Sequence, residues 1–145
     1  MILGIGTDIV EVSRIKTLIE KNGDSFIQKI FSDDEIKLAS EKKSNEIFLA
    51  GRWAVKEAFA KALGYGIGPI CGWKNITTLN NKDGKPYIIL SGNAKKTTEN
   101  MGNPVIHVSI SHEKDYAVAY VIIEKNEDYN QREAILRLNT ERTLS

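Results

Sequence analysis

The sequence predicts an α+β fold, a largely antiparallel sheet packed against one long helix, and three observations carry that expectation. Apolar stretches suited to strands lie at the start of the chain and throughout its second half. An alanine-rich helical segment fills the middle and stops at Gly64. The later strands are separated by turns and by only one short helical stretch, so they can pair as neighbours. The 145 residues suit one domain able to bury a real core.

Residues 2–10, Ile-Leu-Gly-Ile-Gly-Thr-Asp-Ile-Val, read as a short buried strand. Its two glycines imply that something approaches the backbone closely. Asp8 stands out as an acid inside an apolar segment. Ser13 is expected to cap a helix carrying Ile15, Leu18 and Ile19, with Asn22-Gly23 as its stop. Ser32 followed by Glu35 fits a capping box that opens a second helix running to about Lys42.

From about Ser44 to Leu63 the chain is rich in helix formers, including Ala50, Ala54, Ala58, Ala60 and Ala62, so the longest helix belongs here. The Tyr65-Gly66-Ile67-Gly68-Pro69 stretch that follows is a loop. Trp73 to Leu79 and Tyr87 to Ser91 read as strands joined through Asn80-Asn81-Lys82-Asp83-Gly84. A short helix around Asn93 to Asn100 ends at Gly102. Val105 to Ser111 and Tyr116 to Glu124 form a second hairpin with Asp115 near its turn. After Glu124 the composition turns polar, and residues 125–145 are expected to be a tail, helical or disordered, behind a domain of residues 1–124.

Composition removes several function classes. Lys plus Arg number 20 against 19 acids, so no broad positive field draws the chain to nucleic acid or to a membrane. The apolar opening is too short for a signal sequence and is broken by Asp8, and no apolar run spans a bilayer. A cytoplasmic location is the expectation. Cys71 is the only cysteine, which excludes an intrachain disulfide and zinc sites built on cysteine pairs. It reads as a small buried residue.

Few residues suggest chemistry by themselves. Glu57 and Lys61 stand four apart on one face of the long helix, which is first of all an ordinary ion pair; Arg52 and Lys56 share a neighbouring face. Asp8 needs donors, a cation or water, and could equally cap the turn after it. If Asp8 and Glu57 met, they would form the hard oxygen site that Mg²⁺ favours, with Lys61 pointing a cation at the same phosphates. Ser109-Ile110-Ser111-His112 ends a strand, where hydroxyls and an imidazole can reach phosphate oxygens. The phosphate-loop signature is absent, and Gly4-Ile5-Gly6 lacks the third glycine of a dinucleotide fingerprint.

Three segments together resemble the holo-acyl-carrier-protein synthase family, the small type of phosphopantetheinyl transferase. They are Gly4-Ile5-Gly6-Thr7-Asp8-Ile9-Val10-Glu11 with Arg14-Ile15, Gly51-Arg52-Trp53-Ala54-Val55-Lys56-Glu57-Ala58-Phe59-Ala60-Lys61-Ala62-Leu63-Gly64, and Ser109-Ile110-Ser111-His112. The resemblance runs from about residue 2 to Glu124. It implies transfer of the 4'-phosphopantetheine arm of coenzyme A to a serine of acyl carrier protein, in fatty acid biosynthesis.

By that resemblance Asp8 and Glu57 would hold Mg²⁺ against the coenzyme A pyrophosphate. Glu57, or a water on the metal, would take the serine proton, and Lys61 would contact the phosphates. Arg52, Gly64, Pro86, Ser109 and His112 would line the coenzyme A site, and Arg14 would meet the acidic carrier protein. The family resemblance also implies a homotrimer with active sites at the subunit interfaces. Two other classes remain open on the residues: a carrier-protein or nucleotide binding module without catalysis, which would not need Asp8, Glu57 and Lys61 together, and a metal-dependent hydrolase of nucleotides.

Overall fold

The computed structural model describes residues 1–144. Strand β1 (Ile2–Glu11) leads into helix α1 (Val12–Asn22), followed by α2 (Asp24–Ile30), α3 (Asp33–Ser40) and the long α4 (Asn45–Leu63). Strands β2 (Ile76–Asn80) and β3 (Pro86–Leu90) form a separate two-stranded sheet, and α5 (Gly92–Asn100) connects to β4 (Val105–His112) and β5 (Tyr116–Glu124). The main sheet has the order β1-β5-β4 and both of its pairings are antiparallel. Helix α4 lies across one face of it, as the α+β expectation requires.

Close packing explains the glycine pair of β1. A methyl group built on Gly4 would stand 2.0 Å from the Ala62 carbonyl oxygen, and one on Gly6 would stand 1.9 Å from that of Ala58. The helix backbone itself is the close neighbour that the glycines anticipate. Backbone cannot step aside as a side-chain tip can, so Gly6→Ala should lower stability by about 2–3 kcal/mol. A denaturant melt reads that loss, and an unchanged midpoint would contradict this packing.

The Ser32 capping box is present: the Ser32 hydroxyl accepts from the Glu35 N–H at 3.3 Å and the Glu35 carboxylate accepts from the Ser32 N–H at 3.0 Å. Gly64 closes α4 in the left-handed region at φ 94°, where a side chain would be strained. Asn81 folds the β2–β3 turn by accepting from the N–H groups of Asp83 and Lys85, each at 2.9 Å.

Three expectations need correction. Ser13 does not cap α1: pairing with β5 carries β1 to Glu11, and the Val12 N–H is satisfied by the Asp115 carbonyl at 2.8 Å. Trp73–Asn75 is a 3₁₀ turn rather than the start of β2. Helix α2 was not anticipated, because seven residues carry little helical signal and tertiary contacts of Phe26 with Phe31 and Trp53 support it instead.

Beyond the sheet, α6 (Glu127–Leu144) continues the chain and leaves Ile135, Leu136 and Leu138 exposed. The tail expected for residues 125–145 also includes Ser145, which lies outside the described residues. No helix among the described residues is long and apolar enough to cross a membrane.

Candidate active site

The β1–α4 contact decides where the first set of site residues meets. Alternation along β1 turns Gly4, Gly6, Asp8 and Val10 toward α4, while Ile5, Thr7 and Ile9 face the other way. Asp8 is therefore carried to the helix face that bears Glu57 and Lys61. Lys61 Nζ sits 3.1 Å from Asp8 Oδ1 and donates to the Thr7 carbonyl at 3.0 Å. The Asp8 side chain keeps 16% of its surface exposed, against 51% for Lys61.

Both bland readings of these residues give way. Asp8 pairs with Ala119 in mid-strand and caps nothing. Lys61 reaches across to Asp8 instead of back to Glu57. Glu57 is half-buried, and burial first, then the charge of Asp8, push its carboxyl above the ordinary 4.5, while Lys61 and Arg14 pull it down. Two carboxylates near enough to repel each other at the edge of solvent form a donor set that a hard divalent cation would relieve. Among the described residues no third His, Cys, Asp or Glu joins them, so the protein offers a cation two carboxylates and leaves its other positions to water and phosphate.

A second cluster lies where α4, the β2–β3 hairpin and the end of β4 meet. A cavity of about 390 Å³ is lined by Lys42, Phe48, Arg52, Asn80 and His112 among others, and it adjoins one of about 160 Å³ reached by Gly84 and Pro86. Arg52 is buried, donates to Asn80 Oδ1 at 3.0 Å and stacks 4.1 Å from the Phe48 ring centroid. Its Nε has no hydrogen-bond partner among the described residues. Burial pulls the guanidinium below its ordinary value, against the opposing charge of Glu35. A buried cation with a spare donor, flanked by Lys42 and His112, suits a phosphate.

The remaining expected residues are placed apart. Ser109 pairs with Tyr120 and is exposed, its alternation with Val108 and Ile110 turning it to the sheet face away from α4. Gly64 ends α4 beyond Lys61. Arg14 is exposed on α1 with its guanidinium 5.6 Å from the Trp53 ring centroid. Cys71 is buried and its thiol is pushed up to about 11, mainly by burial, so it is no nucleophile.

Lys42, Phe48 and Asn80 are not among the residues that the sequence marks for a site, and periodicity gives Lys56 only a face shared with Arg52. Lys56 is instead wholly buried, 2.8 Å from an equally buried Glu35. A cation beside an aromatic, as in Lys42 and Phe48, is the signal that could have marked the cavity wall.

Comparison with known proteins falls on this geometry. A model of the 4'-phosphopantetheinyl transferase superfamily matches residues 4–121. The holo-[acyl-carrier-protein] synthase of Vibrio campbellii is 46% identical over 123 residues, covering 85% of this chain and 98% of that protein. The protein of that name from Clostridium novyi is 43% identical over 130 residues, covering 90% and 93%. Among solved structures, the holo-[acyl-carrier-protein] synthase of Neisseria meningitidis superposes with a TM-score of 0.81 at 38% identity, covering 86% of this chain and all of its own. The Bacillus anthracis enzyme, solved in complex with CoA (3',5'-ADP), gives 0.74 at 38% identity over 87% and 99%.

Proposed function

The chain belongs to the 4'-phosphopantetheinyl transferase superfamily, among the holo-acyl-carrier-protein synthases, and from its two converging carboxylates we propose a magnesium-dependent route for the reaction. It moves the 4'-phosphopantetheine group from coenzyme A to a serine of apo acyl carrier protein, releasing adenosine 3',5'-bisphosphate. The serine oxygen bonds to the phosphorus that carries the pantetheine arm, and the bond from that phosphorus to the departing bisphosphate breaks.

Asp8 and Glu57 would hold Mg²⁺. When bound, the ion would offset the charge gathering on the leaving phosphate, the main demand of phosphoryl transfer. Glu57 takes the serine proton, directly or through a water, and its upward-pushed carboxyl is the more basic for being half-buried. Lys61 holds Asp8 in place and presents its one remaining donor to the pyrophosphate.

Arg52, Pro86 and His112 take the nucleotide end of coenzyme A, with Lys42 and Asn80 completing that wall and Gly64 shaping the loop after α4. Arg14 meets the acidic carrier. All of these residues fall within residues 1–124, which we read as the transferase domain, with residues 125–145 as an added tail.

A homotrimer with sites between subunits accounts for Ser109. The sheet face away from α4 exposes Ile5, Ile9 and Tyr120, at 65%, 66% and 53%, and Ser109 stands beside Tyr120 on it. An open apolar face of this kind favours self-association. Ser109 would then serve a neighbouring subunit's site.

The observation that carries the metal reading is the meeting of Asp8 and Glu57 beside Lys61. The test combines purified chain, apo acyl carrier protein and coenzyme A, with magnesium or with a chelator, and weighs the carrier by mass spectrometry. The arm's mass should appear only with magnesium. Equal modification in chelator removes the metal, and release of 3',5'-ADP without any carrier would favour hydrolysis. Sedimentation of the same sample as a monomer would remove the shared-site arrangement.

A further inference from the structure

Arg14 is held in an unusual way for a surface cation. Among the described residues its guanidinium makes no hydrogen bond and no ion pair; its one close anchor is the ring of Trp53, 5.6 Å from the ring centroid. That ring is itself closely packed. It is 7% exposed and packs against Trp73 at 4.3 Å and Phe26 at 6.0 Å between centroids, so α4, the 3₁₀ turn and α2 all fix it.

An aromatic anchor differs from a carboxylate in one respect that matters for recognition. A carboxylate would use the guanidinium donors and cancel the charge, whereas a ring attracts the cation electrostatically and leaves all five N–H groups free. The side chain loses rotamer freedom before the partner arrives, so less is lost on binding. Arg14 is also near enough to Glu57 to draw its carboxyl down, against the larger upward effects of burial and Asp8. Trp53 stands one turn before Glu57 on α4, so the restrained cation lies on the side of the helix that carries Glu57.

We propose that Trp53 is a positioning residue for the carrier protein, its buried ring fixing Arg14 with every donor free for an acidic partner. This rests on the reading of Arg14 as the carrier contact. On the same reading the nucleotide end of coenzyme A takes the Arg52 cavity, whose lining includes neither Arg14 nor Trp53, which makes the two substrates separable in kinetics.

Steady-state rates of the full chain with magnesium, coenzyme A and varied apo acyl carrier protein test the idea. Arg14→Ala should raise the KM for carrier. Trp53→Leu should raise it about fivefold with kcat and the coenzyme A KM unchanged, and Trp53→Phe, which keeps a smaller ring, should fall between. In the Arg14→Ala background, Trp53→Leu should add nothing. An unchanged carrier KM in Trp53→Leu, the same rise in both backgrounds, or a parallel rise for coenzyme A overturns the proposal. If Trp53→Leu does not fold, the same cycle built with Trp53→Phe decides. An Arg14→Ala enzyme with normal carrier KM instead overturns the docking role of Arg14, which is a different failure from an intact Arg14 effect that ignores Trp53.

Discussion

Glu57→Gln should lower turnover by at least about a hundredfold while leaving the protein no less stable than before. The amide keeps the shape of the side chain and removes the charge that a magnesium ion and the serine proton both require. The stability half of the expectation follows from the sign of the shift. Burial, then Asp8, raise the Glu57 carboxyl above its ordinary 4.5, so the folded state disfavours its ionised form. What this group contributes to stability is fully present below that ordinary value and is lost as pH rises through the raised one. At neutral pH the glutamine variant escapes that loss, and its melting temperature should equal or exceed that of the parent. At acid pH, where Glu57 is protonated, the difference should close.

Added magnesium should then separate the two proteins a second time. Binding to the folded state alone raises apparent stability, so the ion should lift the melting temperature of the parent and leave the variant where it was. Near-normal turnover in the variant, or an equal magnesium response in both proteins, would remove Glu57 from the metal site.

Why these carboxylates were legible and other features were not has a physical basis. Asp8 announced itself because an acid in an apolar strand needs a reason, and Gly4 and Gly6 announced the close helix that supplies it. The Ser32 box and the Gly64 stop are local devices whose signals lie within a few residues of one another. Asn80 and Lys42 carry no such mark, since only the folding of a hairpin against α4 makes them walls of one cavity. The burial of Lys56 is not legible for a related reason. Helix α4 is buried on nearly every side, from Leu49 through Leu63, so periodicity offers no polar stripe by which to tell a buried lysine from a solvated one. Ser109 was legible as a residue type and not as a location, because the sheet turns it away from its own chain's carboxylates.

Lys56→Met should destabilise the fold by about 3–5 kcal/mol, because it strands a buried charge. The side chains of Lys56 and Glu35 are both fully enclosed, and burial holds the Lys56 ammonium below its ordinary value despite the pull of Glu35. Each partner is fully engaged. Lys56 donates to Glu35 at 2.8 Å, to the Trp73 carbonyl at 2.9 Å and to the Ile76 carbonyl. Glu35 accepts from the N–H groups of Ser32 and Thr78, at 3.0 and 3.1 Å. The pair thus ties α3, α4, the 3₁₀ turn and β2 into one knot, and two of those elements, α4 and β2, also line the Arg52 cavity. For a chain of this size the loss should appear as a melting temperature lower by roughly 10 °C. Changing Glu35 to Gln as well should recover part of it, since the second change removes the stranded charge. A Lys56→Met protein that melts with the parent, or a double variant worse than the sum of the singles, would mean that the knot does not hold the fold in the way its geometry requires.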